Sequence, residues 1–364
     1  MKLRRARLLL TATGVAVACV LLVWWFWPRI LDEMIRWKVR SLVNRYQTAI
    51  LRDDKLHVVF CGTGTPPLGE DPAMSSVAII AAGTFVVFDT GPGSTHKADR
   101  LGLPLGELSA VFLTHVHADH IADLGELAEE SWRDGRVSPL TVYGPSGTAR
   151  VVAGFREVYA LDVQFRLEHR GEVDLPARNA LPVAHEIEIP EPDAAVQVFE
   201  SPQGLRISAF LVDHAPVKPA FGYRIEYRGR VVVISGDTRA CPNLVRHASN
   251  ADLLIHEAVI TEAVDRIVAD YQEEFAAANE PGDRNLARNL TATRDFHTSI
   301  SEAAEEAAAA NVHTLVLTHL KPSPGSPLVE PLLRSWILRP VREHFRGEVV
   351  IARDGMRFSL EPRR

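Results

Sequence analysis

Short apolar runs of the kind that form buried strands recur along this chain, and polar residues follow several of them directly. Residues 111–113 form one such run, and the sequence from Ile121 to Trp132 then has apolar positions at helical spacing. Further runs of the same kind occupy residues 205–211, 230–235 and 314–317. Strands that alternate with helices in this way predict a layered α/β domain.

The segment after the first run concentrates four side chains of the metal-binding type. His115, His117, Asp119 and His120 lie within six residues. A position between a strand and a helix lets side chains splay toward one point instead of alternating across a sheet. Neutral imidazole and carboxylate are ligands that zinc prefers. The spacing therefore predicts a metal site at this turn.

Three further candidate ligands occupy the same kind of position. His214, Asp237 and His319 each lie just past the end of an apolar run. Strand ends converge at one edge of a layered α/β protein, where sites are assembled on a rigid base. Alone, His214 or His319 would be an ordinary loop histidine, but the shared placement favours a common site.

The order of these motifs resembles that of the metallo-β-lactamase superfamily, and within it the ribonuclease Z-like and arylsulfatase-like branch. The resemblance covers roughly residues 55–360 and implies an α/β fold, the four-layer αβ/βα sandwich of that superfamily. The matching stretches are Cys61 to Pro66, Phe88 to Gly91, His115 to His120, Tyr143 to Pro145, His214 with Phe221 to Arg224, Ser235 to Arg239, Leu254 to Ala258, His297 to Ser299 and Leu317 to His319.

The resemblance implies a hydrolase with two Zn²⁺ ions and a metal-bound hydroxide as the nucleophile. Two cations close together repel, and anionic ligands between them offset that cost. Asp119 would also orient or deprotonate the attacking water. One zinc would be held by His115, His117 and His214, the other by Asp119, His120 and His319, with Asp237 bridging both.

Two more residues are candidates for the site. Asp89 would fix a histidine tautomer, although a turn role is equally consistent with the sequence. His297 precedes a capping-box pattern, Ser299 to Glu302, that opens an alanine-rich helix. The resemblance implies that His297 holds an anionic oxygen or protonates a leaving group, and the alternative is packing at the helix start. His256 stays outside the metal set, because the resemblance treats its surroundings as supporting structure.

The N-terminal residues predict a membrane anchor. Lys2 and three arginines precede an uncharged run from Leu8 to Trp27, long enough to cross a bilayer at about 1.5 Å per residue. We expect an uncleaved transmembrane helix at residues 1–28, an amphipathic linker helix at 29–54 and a catalytic domain at 55–364. The short basic tail predicts an extracytoplasmic catalytic domain. Cleavage of the anchor remains an alternative.

Composition bears on the partners. The formal net charge is −6, and a protein that binds a phosphate backbone usually shows a basic face. Ribonuclease Z-like enzymes grip their substrate with a glycine- and lysine-rich arm, and no such arm is visible between Tyr143 and His214. A small anionic ester is therefore expected as the partner rather than nucleic acid, with a homodimer left open. A disulfide between Cys61 and Cys241 also stays open.

These observations predict a membrane-anchored, zinc-dependent hydrolase that acts on a phosphodiester or an aryl sulfate. Alternatives on the same ligands are a lactone or thioester hydrolase and a ribonuclease Z-type tRNA 3′-endonuclease. A non-catalytic zinc-binding scaffold is a further alternative, against which the complete set of seven ligands argues. The sequence does not choose among the ester classes.

Overall fold

The chain divides into two compact units, Met1–Gln47 and Thr48–Arg364. The computed structural model describes residues 2–43, 47–65, 73–275, 283–323 and 330–363, and the side chains of residues 2–19 and of a few further positions lie outside the described part. The first unit consists of one helix, α1 (Lys2–Val43). All the strands among the described residues belong to the second unit.

Helix α1 bears on the predicted anchor. Charged residues begin at Arg29, and the side chains of residues 8–19 lie outside the described part. Within the described residues, no helix is long and apolar enough to span a membrane. The prediction of a membrane anchor is therefore wrong. The prediction of an extracytoplasmic catalytic domain depended on that anchor and is wrong as well.

The first of two sheets has seven strands and mixes antiparallel with parallel pairs. In spatial order its strands are β14 (Arg357–Leu360), β1 (Leu56–Gly62), β2 (Ser76–Ala81), β3 (Thr84–Phe88), β4 (Leu108–Phe112), β5 (Thr141–Gly144) and β6 (Val183–Glu186). Pairs up to β3 are antiparallel, and those from β3 to β6 are parallel. The parallel half therefore collects the carboxyl ends of its strands at one edge.

The second sheet repeats the same plan. In spatial order its strands are β7 (Ala195–Glu200), β8 (Arg206–Val212), β9 (Ala220–Tyr227), β10 (Arg230–Ile234), β11 (Leu253–Val259), β12 (Thr314–Lys321) and β13 (Glu348–Ile351). Pairs up to β10 are antiparallel, and the rest are parallel. The two halves of the domain thus have matching strand orders, a symmetry that is not visible in the sequence.

The two sheets pack face to face around an apolar core. Val58 and Phe60 of β1 join Phe221 and Tyr223 of β9 in this layer, while Val59 points to the opposite face of the first sheet. Each of these strands buries both faces, which explains why β1, β2, β3 and β11 are buried along their whole length. Cys61 and Cys241 are free thiols, so no disulfide joins them.

Helices cover the outer faces of both sheets. The first sheet is covered by α2 (Ser94–Arg100), α4 (Leu124–Arg133) and α5 (Thr148–Arg170), and the second by α7 (Pro242–His247), α10 (Ile300–Ala309) and α11 (Glu330–His344). The remaining helices are α3 (Ala118–Ile121), α6 (Ala177–Ala180), α8 (Thr261–Phe275) and α9 (Asp283–Thr293). Two mixed sheets flanked by helices confirm the predicted α/β class.

Candidate metal centre

The candidate ligands are carried by the ends of buried strands. His115 and His117 follow β4, and Asp119 with His120 lies in the short helix α3 directly after them. The other three come from the second sheet: His214 follows β8, Asp237 follows β10 and His319 lies near the end of β12. Strands that are fixed by packing on both faces give these side chains a rigid base.

Three imidazoles form the first group. His115 Nε2 lies 3.0 Å from His117 Nδ1, and His214 Nε2 lies 3.4 Å from the same nitrogen. Burial lowers the pKa of His115 well below its usual value and also lowers the pKa of His117 and of His214. The rings are therefore neutral near pH 7, and neutral imidazole is the form that binds a metal.

Asp119, His120 and His319 form the second group. Asp119 Oδ2 lies 3.7 Å from His120 Nε2 and 3.5 Å from His319 Nε2. Both nitrogens are buried and have no hydrogen-bond partner within the described part of the chain. A buried nitrogen without a partner is costly, and a cation bound by these nitrogens and the carboxylate removes that cost. The donor set of this group therefore fits a metal ion.

Asp237 lies between the two groups. Its Oδ1 is 3.5 Å from His120 Nε2, and its Oδ2 is 3.3 Å from His319 Nε2. Oxygens of Asp237 also lie within 4.8 Å of ligand atoms of His115 and His214. Burial alone would raise the pKa of Asp237, but His319, Lys321 and His120 outweigh burial and hold it well below its usual value. The side chain is thus an anion that faces both groups.

Gly236 sets the backbone that delivers Asp237. Its φ is 63°, in the left-handed region that glycine occupies without strain. A Cβ added here would lie 2.7 Å from the Phe221 carbonyl oxygen and 2.9 Å from Thr114 Cβ. The glycine therefore permits both the turn after β10 and the close approach of the two sheets at the site.

The second ring nitrogen of three candidate ligands is held by an acceptor elsewhere in the chain. An acceptor at Nδ1 places the ring proton there and directs the lone pair of Nε2 to the centre. The pairs are His120 Nδ1 with Asp89 Oδ2 at 2.8 Å, His214 Nδ1 with the Phe296 carbonyl at 2.9 Å, and His319 Nδ1 with the Gly64 carbonyl at 2.6 Å.

Asp89 combines the two roles that the sequence left open. Its φ is 57°, so it forms a left-handed turn directly after β3. One carboxylate oxygen accepts the Thr114 N–H at 2.8 Å, and the other accepts the Thr114 hydroxyl and contacts His120 Nδ1, each at 2.8 Å. The buried carboxylate therefore fixes the start of the histidine loop and one of its rings at the same time.

His297 stands beside the metal groups but differs from the candidate ligands. Its Nδ1 lies 2.9 Å from Glu257 Oε1, and its Nε2 lies 2.6 Å from Lys321 Nζ. Both ring nitrogens thus have partners from the protein, whereas Nε2 of His120 and of His319 has none in the described part. The predicted capping box after it, Ser299 with Glu302, is confirmed at the start of α10.

Glu257 and Lys321 were missed as site residues by the sequence analysis. Glu257 is a neighbour of His256 on β11, in a stretch taken for supporting structure, and Lys321 is two residues past His319 on β12. Their position near the ends of buried strands was the available signal, the same one that identified His214. His256 itself faces away and pairs with Glu306, with 3.0 Å between Nε2 and Oε2.

A cavity of about 570 Å³ opens onto these residues. Its floor includes His117, Asp119, Asp237 and His297, and its wall includes Phe296 and residues of α9. Helices α8 and α9 pack on the domain through a small apolar cluster with Val259, Val264 and Leu290. All the residues predicted for the site are thus brought together, seven candidate ligands with His297 beside them and Asp89 behind His120.

Two mixed sheets with a histidine and aspartate centre at their edge define a metallo-hydrolase fold. The chain belongs to the β-lactamase superfamily, because a profile described as "Beta-lactamase superfamily domain" matches residues 84–320. It is 32% identical over 312 residues to a ribonuclease Z from Mycobacterium bovis (strain BCG / Pasteur 1173P2), covering 85% of this chain and 100% of that protein. A ribonuclease Z from Mycobacterium marinum is 33% identical over 272 residues, 74% of this chain and 87% of that protein.

Solved structures show the same fold. The human tRNase Z, short form, has a TM-score of 0.54 and 24% identity, covering 84% of this chain and 99% of that one. A metallo-β-lactamase fold protein from Bacillus subtilis has a TM-score of 0.54 and 22% identity, covering 84% and 100%. The predicted superfamily and its ribonuclease Z-like relationship are therefore confirmed, and the chain is a hydrolase of the metallo-β-lactamase fold.

These similarities correct the predicted function. The relatives reported above are named ribonuclease Z, so the reading as a membrane-anchored phosphodiesterase or arylsulfatase is wrong. The expectation of a small anionic ester instead of nucleic acid as partner is wrong as well. Net charge is summed over the whole chain and does not describe the site, where Lys321 is buried.

Proposed function

We propose that the chain is a metal-dependent ribonuclease of the ribonuclease Z type, which hydrolyses a phosphodiester bond near the 3′ end of a transfer RNA precursor. The observation that carries the proposal is the convergence of seven candidate ligands on one centre, three of which, His117, Asp119 and Asp237, line the cavity. It stands in a chain similar to ribonucleases Z over most of their length. This was an alternative of the sequence analysis, and it replaces the arylsulfatase reading.

The proposed metal assignment is two zinc ions. His115, His117 and His214 would hold one, and Asp119, His120 and His319 the other, with the Asp237 carboxylate shared between them. Three neutral imidazoles suit zinc, and carboxylates offset the repulsion of two nearby cations. When bound, such a pair polarises a phosphoryl oxygen and lowers the pKa of water toward neutrality.

Side chains of the protein would accept the proton of the attacking water and exclude bulk water from the site. Asp119 lines the cavity and is the proposed base, since its carboxylate can accept a proton from the attacking water. His297 and Glu257 form a buried pair beside it, with 2.9 Å between Nδ1 and Oε1. The wall formed by Phe296 and Leu290 would keep bulk water away from the reacting phosphate.

Cleavage of a transfer RNA precursor tests the proposal. The zinc-loaded chain would be incubated with a 5′-labelled precursor that carries a 3′ trailer, in parallel with bis-p-nitrophenyl phosphate and p-nitrophenyl sulfate. We expect a single cut near the 3′ end, abolished by a chelator and restored by zinc. A zinc-loaded, folded chain that leaves the precursor intact at enzyme excess would refute the proposed substrate.

Two variants test the assignment of the site. His120→Ala should abolish cleavage and lower the zinc content, because it removes a ligand. Asp119→Asn keeps the size of the side chain and an oxygen ligand but removes the base, so turnover should fall by a factor of about 100 or more. Unchanged turnover in either variant, with folding checked by circular dichroism, would contradict the assigned roles.

A further inference from the structure

Lys321 is a lysine in an unusual place. It lies at the end of β12, and it is 9% exposed. Lysine is rarely buried unless its charge is paired, so burial beside a metal centre requires an explanation. Its backbone is fixed, because its carbonyl accepts the Ile260 N–H at 2.7 Å and it is in register with Val259 of β11.

Within the described residues, the ammonium group contacts His297 and Asp237. Nζ lies 2.6 Å from His297 Nε2 and 3.4 Å from His297 Nδ1, and 3.5 Å from Asp237 Oδ2. A carboxylate at salt-bridge distance would neutralise the charge, but Asp237 is at the long end of that range and is shared with the histidines of the metal centre. Asp237 and the nearby Glu257 thus act on the charge of Lys321 without a short salt bridge to it in the described part of the chain.

The partner of His297 determines the direction of these bonds. Glu257 Oε1 lies 2.9 Å from His297 Nδ1, and a carboxylate only accepts hydrogen bonds. His297 therefore donates from Nδ1 to Glu257, and Nε2 accepts a hydrogen bond from the Lys321 ammonium. In this arrangement His297 offers no free donor to an anion in the cavity, which differs from the role that the resemblance implied for it.

The ammonium group retains donor capacity that the described residues do not use. It has three N–H bonds, one of which is taken by His297 and a second of which points toward Asp237. Lys321 also lines the cavity, where it is the single lysine or arginine among the lining residues that the structure describes. Metal ions bound at the centre would balance Asp119 and Asp237, and Lys321 adds a cation of the protein itself to the lining of the cavity.

We propose that Lys321 is a catalytic residue that binds a non-bridging oxygen of the scissile phosphate, with His297 and Glu257 positioning its ammonium group. This inference rests on the proposed function and deepens it. A fixed cation at the reacting group stabilises the negative charge that develops there without reorganisation. His297 then acts through Lys321, by directing the third N–H toward the cavity.

Substitution of Lys321 separates this role from a structural one. Lys321→Met removes the charge with little change of volume, and Lys321→Arg retains it. The matched control is Lys55→Met, which removes a lysine paired with Glu361 at 2.6 Å on the surface. Each variant would be assayed for zinc content, melting temperature, kcat and KM on bis-p-nitrophenyl phosphate, and inhibition by inorganic phosphate.

The expected result is a specific loss of phosphate recognition. In Lys321→Met we expect kcat/KM to fall about 100-fold and the inhibition constant of phosphate to rise roughly tenfold, with zinc content retained. Lys321→Arg should recover part of both, and Lys55→Met should match the wild type. Unchanged phosphate inhibition in folded, zinc-loaded Lys321→Met would overturn the proposal, as would loss of zinc in Lys321→Met that accounts for the whole effect.

The same measurements keep the two proposals apart. If the wild type cleaves bis-p-nitrophenyl phosphate but leaves the transfer RNA precursor intact, the proposed substrate fails, and the Lys321 variants still decide the role of the ammonium group. If the wild type cleaves neither, calorimetric titration of zinc-loaded protein with inorganic phosphate decides it. Equal affinity of the wild type and Lys321→Met for phosphate would then refute the inference.

Discussion

Asp89 contacts His120 across 31 positions of sequence, with 2.8 Å between Oδ2 and Nδ1. The same carboxylate accepts two hydrogen bonds from Thr114, the residue that opens the histidine loop. Both Asp89 and His120 are almost fully buried. One side chain therefore couples the end of β3 to the loop after β4, and it determines which nitrogen of His120 faces the centre.

Asp89→Asn tests this coupling. An amide can donate to Nδ1 where the carboxylate accepts, so it favours the tautomer whose Nε2 carries the proton and cannot bind a metal. We expect the affinity for zinc to fall by a factor of about 10 to 100, measured by competition with a chromogenic chelator. Asp174→Asn, at an exposed aspartate in the turn after α5, is the matched control. Equal zinc affinity of Asp89→Asn and the wild type would show that the contact does not orient His120.

Gly236→Ala tests the turn that delivers Asp237. The added Cβ would lie 2.7 Å from the Phe221 carbonyl oxygen, at a φ of 63° that alanine adopts with strain. We expect the free energy of unfolding to fall by about 2 kcal/mol or more, with a loss of zinc as Asp237 moves. Gly154→Ala is the control, because a Cβ there meets nothing within 4 Å. Urea denaturation should show Gly154→Ala as stable as the wild type or more so, and an equally stable Gly236→Ala would contradict the assigned strain.

The buried pair of His256 and Glu306 should make stability depend on pH. Burial lowers the pKa of His256, but the hydrogen bond and charge of Glu306 outweigh it and raise the pKa above 6.5. A raised pKa in the folded state means that the pair stabilises fully below pH 6.5 and loses its contribution as the pH rises through the folded value. Removal of Glu306 should therefore lower the free energy of unfolding most at acidic pH.

Glu306→Gln tests this direction. We expect the free energy of unfolding to fall by about 3 kcal/mol at pH 6 and the difference from the wild type to shrink at pH values above the folded pKa. Glu305→Gln, the neighbour whose side chain is 57% exposed, should change stability by about 0.5 kcal/mol or less at either pH. A difference for Glu306→Gln that grows with pH would contradict the assignment.

The ligands and the fold class could be predicted because their signals are local. His115 to His120 are contiguous, and His214, Asp237 and His319 each follow an apolar run that any strand prediction would mark. Glu257 and Lys321 could not be assigned in the same way. They reach His297 from 40 and 24 positions away, and only the parallel pairing of β11 with β12 brings them to one ring. The predicted anchor depended on hydropathy and on the basic residues before the apolar run, which do not report on tertiary structure.

The interval between Tyr143 and His214 is where the sequence resemblance implied a glycine- and lysine-rich arm. It has no lysine, and it forms α5, α6, β6, β7 and β8. Two arginines of α5 are engaged within the protein, Arg156 by the Pro182 carbonyl and Arg166 by Glu129 and Asp162. If the proposed function holds, the absence of such an arm implies that contacts with RNA concentrate near Lys321.

Few phosphate contacts imply a shallow dependence on salt. Each phosphate neutralised on a single strand contributes about −0.7 to the slope of log affinity against log salt, so one to three contacts predict a slope of roughly −1 to −2. We expect kcat/KM for a whole transfer RNA precursor to follow that slope and to lie within about tenfold of the value for a short 3′ fragment, since the fragment retains the contacts at the cleavage point. Cleavage rates measured from 50 to 300 mM KCl would give both quantities. A slope of about −5 or steeper for the whole precursor alone would contradict this and place a basic RNA-binding surface elsewhere on the chain.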